Sequence, residues 1–162
     1  MQMDDNSSSK VREISQLATQ FRNAIEKALA AGEFNKEIVL RQFPSGCCGD
    51  ASDLLGQFLL EHGWSSIYVN GTFYYEDQEF KSCTHTWLKV DGLVVDITGD
   101  QFKYCENLLF FSRPVYVGNP GEFHELFKVE DRDVYRFPGL NDYNEMASNR
   151  LSKLYSVICL YL

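Results

Sequence analysis

The segment from Thr84 to Thr98 constrains this chain most, because Asp91-Gly92 stands as a two-residue turn between two alternating runs, Thr84-His85-Thr86-Trp87-Leu88-Lys89-Val90 and Leu93-Val94-Val95-Asp96-Ile97-Thr98. A two-residue hairpin loop fixes the pairing of its strands. With Asp91 and Gly92 as the loop, Val90 pairs with Leu93, Leu88 with Val95, Trp87 with Asp96 and His85 with Thr98. Paired residues share a face and alternate along each strand. Thr86, Leu88, Val90, Leu93, Val95 and Ile97 thus form a mostly apolar core face, and His85, Trp87, Lys89, Val94, Asp96 and Thr98 the other. Asp96 becomes a diagonal neighbour of His85, roughly 7 Å away between backbones, so that imidazole and carboxylate meet.

A carboxylate on one ring nitrogen holds the tautomer and orientation of a histidine and leaves the second nitrogen for a nucleophile. Gly46-Cys47-Cys48-Gly49-Asp50-Ala51 supplies one, delivering a cysteine to the start of a helix whose stripe is Ala51, Leu54, Leu55, Phe58 and Leu59, with Gly63 at its stop. Unpaired N–H groups and the positive end of the helix dipole favour the thiolate there. Small neighbours such as Gly46 and Gly49 admit a substrate backbone. Cys48 is preferred to Cys47 because it stands six residues after Gln42 and three before Ala51 on the stripe. Gln42 is expected to donate its amide to an oxyanion beside the Cys48 N–H.

Elsewhere, Val11, Ile14, Leu17, Phe21, Ile25 and Leu29 predict an amphipathic helix up to Gly32, after a flexible tail over residues 1–9; residues 10–162 are expected to form one domain. Glu37 to Phe43 reads as either helix or strand. Ser66 to Tyr75 and Phe80 to Thr98 predict an antiparallel meander, Arg113 to Val117 and Asp133 to Phe137 further short strands, and Tyr143, Met146, Ala147, Leu151, Leu154, Ile158 and Tyr161 a last helix. The expected fold class is α+β, a central antiparallel sheet packed against the helix bearing the nucleophilic cysteine.

The formal charge of −8 repels phosphate backbones and anionic lipid surfaces, so neither nucleic acid nor membrane is an expected partner. Residues 1–10 carry no apolar run behind a basic segment, and five cysteines make a poor disulfide framework. Free thiols in the cytoplasm, and no cofactor, are the expectation.

At these residues the chain resembles the transglutaminase-like and papain-like cysteine enzyme superfamily. The resemblance covers residues 42 to 102: Gly46-Cys47-Cys48-Gly49-Asp50 is similar to the nucleophile segment of bacterial transglutaminase-like proteins, His85-Thr86-Trp87 to a His-Ala-Trp run, and Asp96-Ile97-Thr98 to an Asp-Pro-Thr run. It implies a papain-like core, Cys48 as nucleophile, His85 as general base and acid, Asp96 as the orienting residue and Gln42 as oxyanion donor. The implied reaction is acyl transfer at a peptide or glutamine amide, by a peptidase or amidase, a deamidase or a transglutaminase, on a protein or peptide substrate. No Trp follows Cys48, and the loop between His85 and Asp96 is short.

Two rival readings use the same residues. Cys47, Cys48, Cys83, His85 and Cys105 are candidate zinc ligands, although no Cys-x-x-Cys pair occurs. A non-catalytic interaction module would keep the fold with Cys48 merely buried. His62 reads as a helix-end residue and His124 as a loop residue without a partner.

Overall fold

A computed structural model describes residues 5–162. Asp91 and Gly92 take φ of 50° and 81°, the left-handed pair that a two-residue turn compatible with strand twist requires. They join β2 (residues 82–90) to β3 (residues 93–96), with Leu88 opposite Val95, Lys89 opposite Val94 and Val90 opposite Leu93, the register read from the sequence. The expected pairings of Trp87 with Asp96 and of His85 with Thr98 are not part of it. β3 stops at Asp96, whose Oδ1 accepts the Thr98 N–H at 2.9 Å and turns the chain into a 3-10 turn over residues 99–102.

β1 (residues 67–74) runs antiparallel along β2 and sets Gly71 opposite His85. β4 (Tyr116–Gly118) adds to β3 and β5 (Val134–Arg136) to β1. The result is an α+β fold whose five-stranded antiparallel sheet has the order β4-β3-β2-β1-β5.

Four α-helices lie among the described residues: α1 (Asp5–Ala30), α2 (Cys48–Glu61), α3 (Glu122–Glu125) and α4 (Glu145–Cys159). α1 buries Ile14, Ala18, Phe21, Ala24, Ile25 and Ala28 at helical spacing. Its described part runs from Asp5, so residues 5–9, expected in a flexible tail, are helical; residues 1–4 lie outside the described residues. Extending a helix already packed costs little, and Asp5 suits the first turn. Glu37 to Phe43, ambiguous in sequence, contains the 3-10 turn Leu40–Gln42. In α4, Asn144 Oδ1 caps the Ala147 N–H at 3.0 Å. Met146 is exposed because this helix buries residues only from Leu151 onward.

One core cluster packs α1, α2 and α4 against Leu88, Val90, Val95 and Ile97. The opposite sheet face is covered as well: Val69, Trp87 and Val94 join Leu108, Phe123 and Phe127 in a second cluster. That cover puts His85 and Asp96 at 0% and 2% exposure.

Candidate active site

Cys48 is the first residue of α2, and the first turn has no side-chain cap. The first helical N–H to find an acceptor is that of Ala51, on Cys47 O at 2.8 Å, so the N–H groups of Cys48, Gly49 and Asp50 have no acceptor within the helix. Burial pushes the Cys48 thiol up, yet the hydrogen bond and charge of His85, helped by Thr86, outweigh burial and hold it below its ordinary value. Cys47, one residue earlier, has the opposite surroundings. It is 1% exposed, its thiol donates to Pro44 O at 3.3 Å, and burial with the neighbouring Cys48 pushes it up to about 12.

His85 Nε2 donates to Asp96 Oδ2 at 2.7 Å. This bond places the proton on Nε2 in the neutral ring and leaves the Nδ1 lone pair as an acceptor. Burial works against a charged imidazole, but Asp96 and then Cys48 raise His85 to about 9. Burial likewise opposes ionised Asp96, and His85 with His124 overcomes it, holding the carboxyl well below the usual range.

His124, read from sequence as a loop residue without a partner, is the unforeseen member. It lies on α3, is buried, and its Nε2 donates to the same Asp96 Oδ2 at 2.8 Å. Asp96 therefore accepts three hydrogen bonds, from His85, His124 and the Thr98 N–H. The His124 Nδ1 and the Trp87 Nε1 are buried without protein partners, and both residues line a small cavity of about 170 Å³ with Val69, Val94, Pro120 and Val134.

Gln42 sits exposed on its 3-10 turn, and its backbone, not its amide, bonds to Val39 and Ser45. The glutamine that touches the base is Gln101, whose Nε2 lies 3.4 Å from His85 Nδ1. Sequence reading missed it because its signal is a turn begun by Asp96, not a strand or helix period. Arg22, 5% exposed, holds that turn: its guanidinium bonds Asp100 at 2.6 and 2.8 Å and the carbonyls of Ile97 and Pro114 at 2.8 and 3.0 Å.

His62 does sit at a helix end, its Nδ1–H donating to Phe58 O at 2.7 Å. The cysteines of the zinc reading do not gather: the ligand-bearing group found among the described residues is His85, Asp96 and His124. In that group both imidazoles aim at one carboxylate oxygen at hydrogen-bond length, an arrangement that satisfies the buried charge by itself.

No protein-family model, curated protein or solved structure matches this chain. The likeness to transglutaminase-like and papain-like enzymes thus rests on the residues named above, and the functional reading on their geometry. No helix among the described residues is long and apolar enough to cross a membrane.

Proposed function

We propose that this chain is a cysteine-dependent acyl-transfer enzyme with a transglutaminase-like or papain-like core, acting on a peptide or glutamine amide. The observation that carries the reading is the buried His85–Asp96 pair at 2.7 Å, taken with Cys48 at a helix N-terminus whose thiol is held below its ordinary value by the neighbouring His85. Each side chain has the surroundings its role needs, and Cys47, held protonated by burial, lacks them.

In this mechanism the Cys48 thiolate attacks the amide carbonyl carbon and forms a C–S bond, and the carbonyl π electrons move onto oxygen. His85 gives its Nδ1 proton to the amide nitrogen as the C–N bond breaks, releasing the amine and leaving a thioester. Water then attacks the thioester while His85 takes its proton, and the C–S bond breaks to restore the thiolate. Water as acceptor gives peptidase, amidase or deamidase chemistry; a lysine-type amine gives cross-linking. Asp96 keeps the Nε2 proton in place and stabilises the imidazolium, and no step calls on a cofactor. Protein or peptide is the substrate class, and a cytoplasmic setting suits a free thiolate.

The test is competitive labelling with limiting iodoacetamide at pH 7, read by peptide mass spectrometry. Cys48 is expected to react at least tenfold faster than Cys105 or Cys159, and intact mass of protein exposed to a peptide library is expected to show an acyl adduct that Cys48→Ala abolishes. Equal slow labelling of all three thiols favours the non-catalytic module.

A further inference from the structure

An attacking thiolate needs a donor for the oxygen that becomes negative, and the structure offers a side chain for it that the family resemblance does not point to. Gln101 lies on the turn that follows Asp96. Its Nε2 donates to Thr98 O at 3.0 Å and lies 3.4 Å from His85 Nδ1, while its Oε1 accepts from the Gly46 N–H at 3.4 Å. Because His85 Nε2 is bound to Asp96, Nδ1 is the nitrogen that exchanges a proton with Cys48. The Gln101 amide therefore touches the base on one side and the loop two residues before the nucleophile on the other. Arg22 grips the adjacent Asp100 through two bonds, so this amide is carried on a fixed backbone, as a preorganised donor must be.

A count of hydrogens shows what the amide can do. Nε2 bears two, and Thr98 O takes one. The second meets His85 Nδ1 only while that atom keeps its lone pair. Once His85 holds the thiol proton, Nδ1 is itself a donor and the second Gln101 hydrogen has no acceptor. It is thus released in the one protonation state that can attack. We propose that Gln101 is the side-chain oxyanion donor of this site, acting with the Cys48 backbone N–H, and that its second amide hydrogen passes from His85 Nδ1 to the acyl oxygen. No proton transfers to that oxygen; the imidazolium keeps its proton for the leaving group. This inference rests on the acyl-transfer reading above.

Two reactions of Cys48 separate the roles. Iodoacetamide alkylates the thiolate without forming an oxyanion, whereas p-nitrophenyl acetate acylates it through one and releases p-nitrophenolate. Gln101→Met keeps the length and loses the donor. It is expected to alkylate within about threefold of the wild-type rate and to acylate about 100-fold more slowly, the loss typical of one oxyanion donor. Gln101→Glu retains the acceptor for Gly46 but opposes a negative oxygen, and is expected to acylate at least as slowly. Acylation of Gln101→Met at the wild-type rate overturns the proposal. So does a parallel fall in both reactions, which marks a structural role, or a loss in Gln42→Met that Gln101→Met does not share. Wild-type Cys48 that acylates no faster than Cys159 overturns the acyl-transfer reading itself.

Discussion

Asp96 organises the site at the scale of single residues, because one fully buried carboxylate receives two imidazole N–H groups and a backbone N–H. Replacing His124 by Phe keeps the ring's bulk and removes one of the three donors. The loss of a hydrogen bond to a buried charge is expected to cost about 2 kcal/mol of stability. Less shared, the carboxylate charge then falls more fully on His85, so the alkaline limb of activity is expected to move upward. A pH–rate profile reads this, and a limb that stays in place counts against coupling through Asp96. In the wild type, the proposed activity is expected to rise as Cys48 ionises below the ordinary thiol value and to fall as His85, raised to about 9, loses its proton, giving a bell. His85 and Asp96 were legible before the fold because the Asp91-Gly92 turn counts residues on both strands. Cys48 was legible because a helix start can be read from its stripe. His124 was not, since its partner lies 28 residues away and only the folding of the second cover onto the sheet brings them together.

Among the elements, α1 and the turn after β3 are joined by one side chain. Arg22 serves Asp100 and two carbonyls from within the core. Arg22→Met leaves the carboxylate and both carbonyls without their donor, and chemical denaturation is expected to show a loss of about 3 kcal/mol. Adding Asp100→Leu is expected to recover part of it, since removing both charges leaves neither unpaired. β1 contributes by what it lacks. A Cβ on Gly71, opposite His85, would lie 2.6 Å from the Phe127 Cβ and 3.1 Å from the Trp87 ring. Gly71→Ala is therefore expected to destabilise the protein by about 1–3 kcal/mol through overpacking and to slow Cys48 alkylation by shifting His85. The periodicity of α1, α2 and the β2–β3 hairpin was readable because each follows a local repeat. The 3-10 turns, the short α3 and the helical state of residues 5–9 follow from tertiary cover, which no local period encodes.

At the scale of the whole molecule, the sheet is covered on both faces: one cover supports the Cys48 helix, and the other closes over His85 and Asp96. Burial on the second side strengthens the ion pairing among these groups. Asp96 has a depressed carboxyl, so its contribution to stability is complete above the unfolded value of about 3.9 and is lost as pH falls through its lower folded one. Asp96→Asn is thus expected to be less stable than wild type at pH 7 and to lose less stability on acidification below pH 4, as thermal melts across pH would show. The covers also set the two thiols apart: Cys47 is sealed in the core, whereas Cys48 is half-buried at its edge, where the proposed chemistry needs it. The most direct measurement is the rate of iodoacetamide alkylation at Cys48 against pH, in wild type and in His85→Ala. The expected wild-type curve rises below the ordinary thiol pKa, and the His85→Ala curve moves to the ordinary value or above it. Superimposable curves would contradict the thiolate–imidazolium pair on which the proposed chemistry depends.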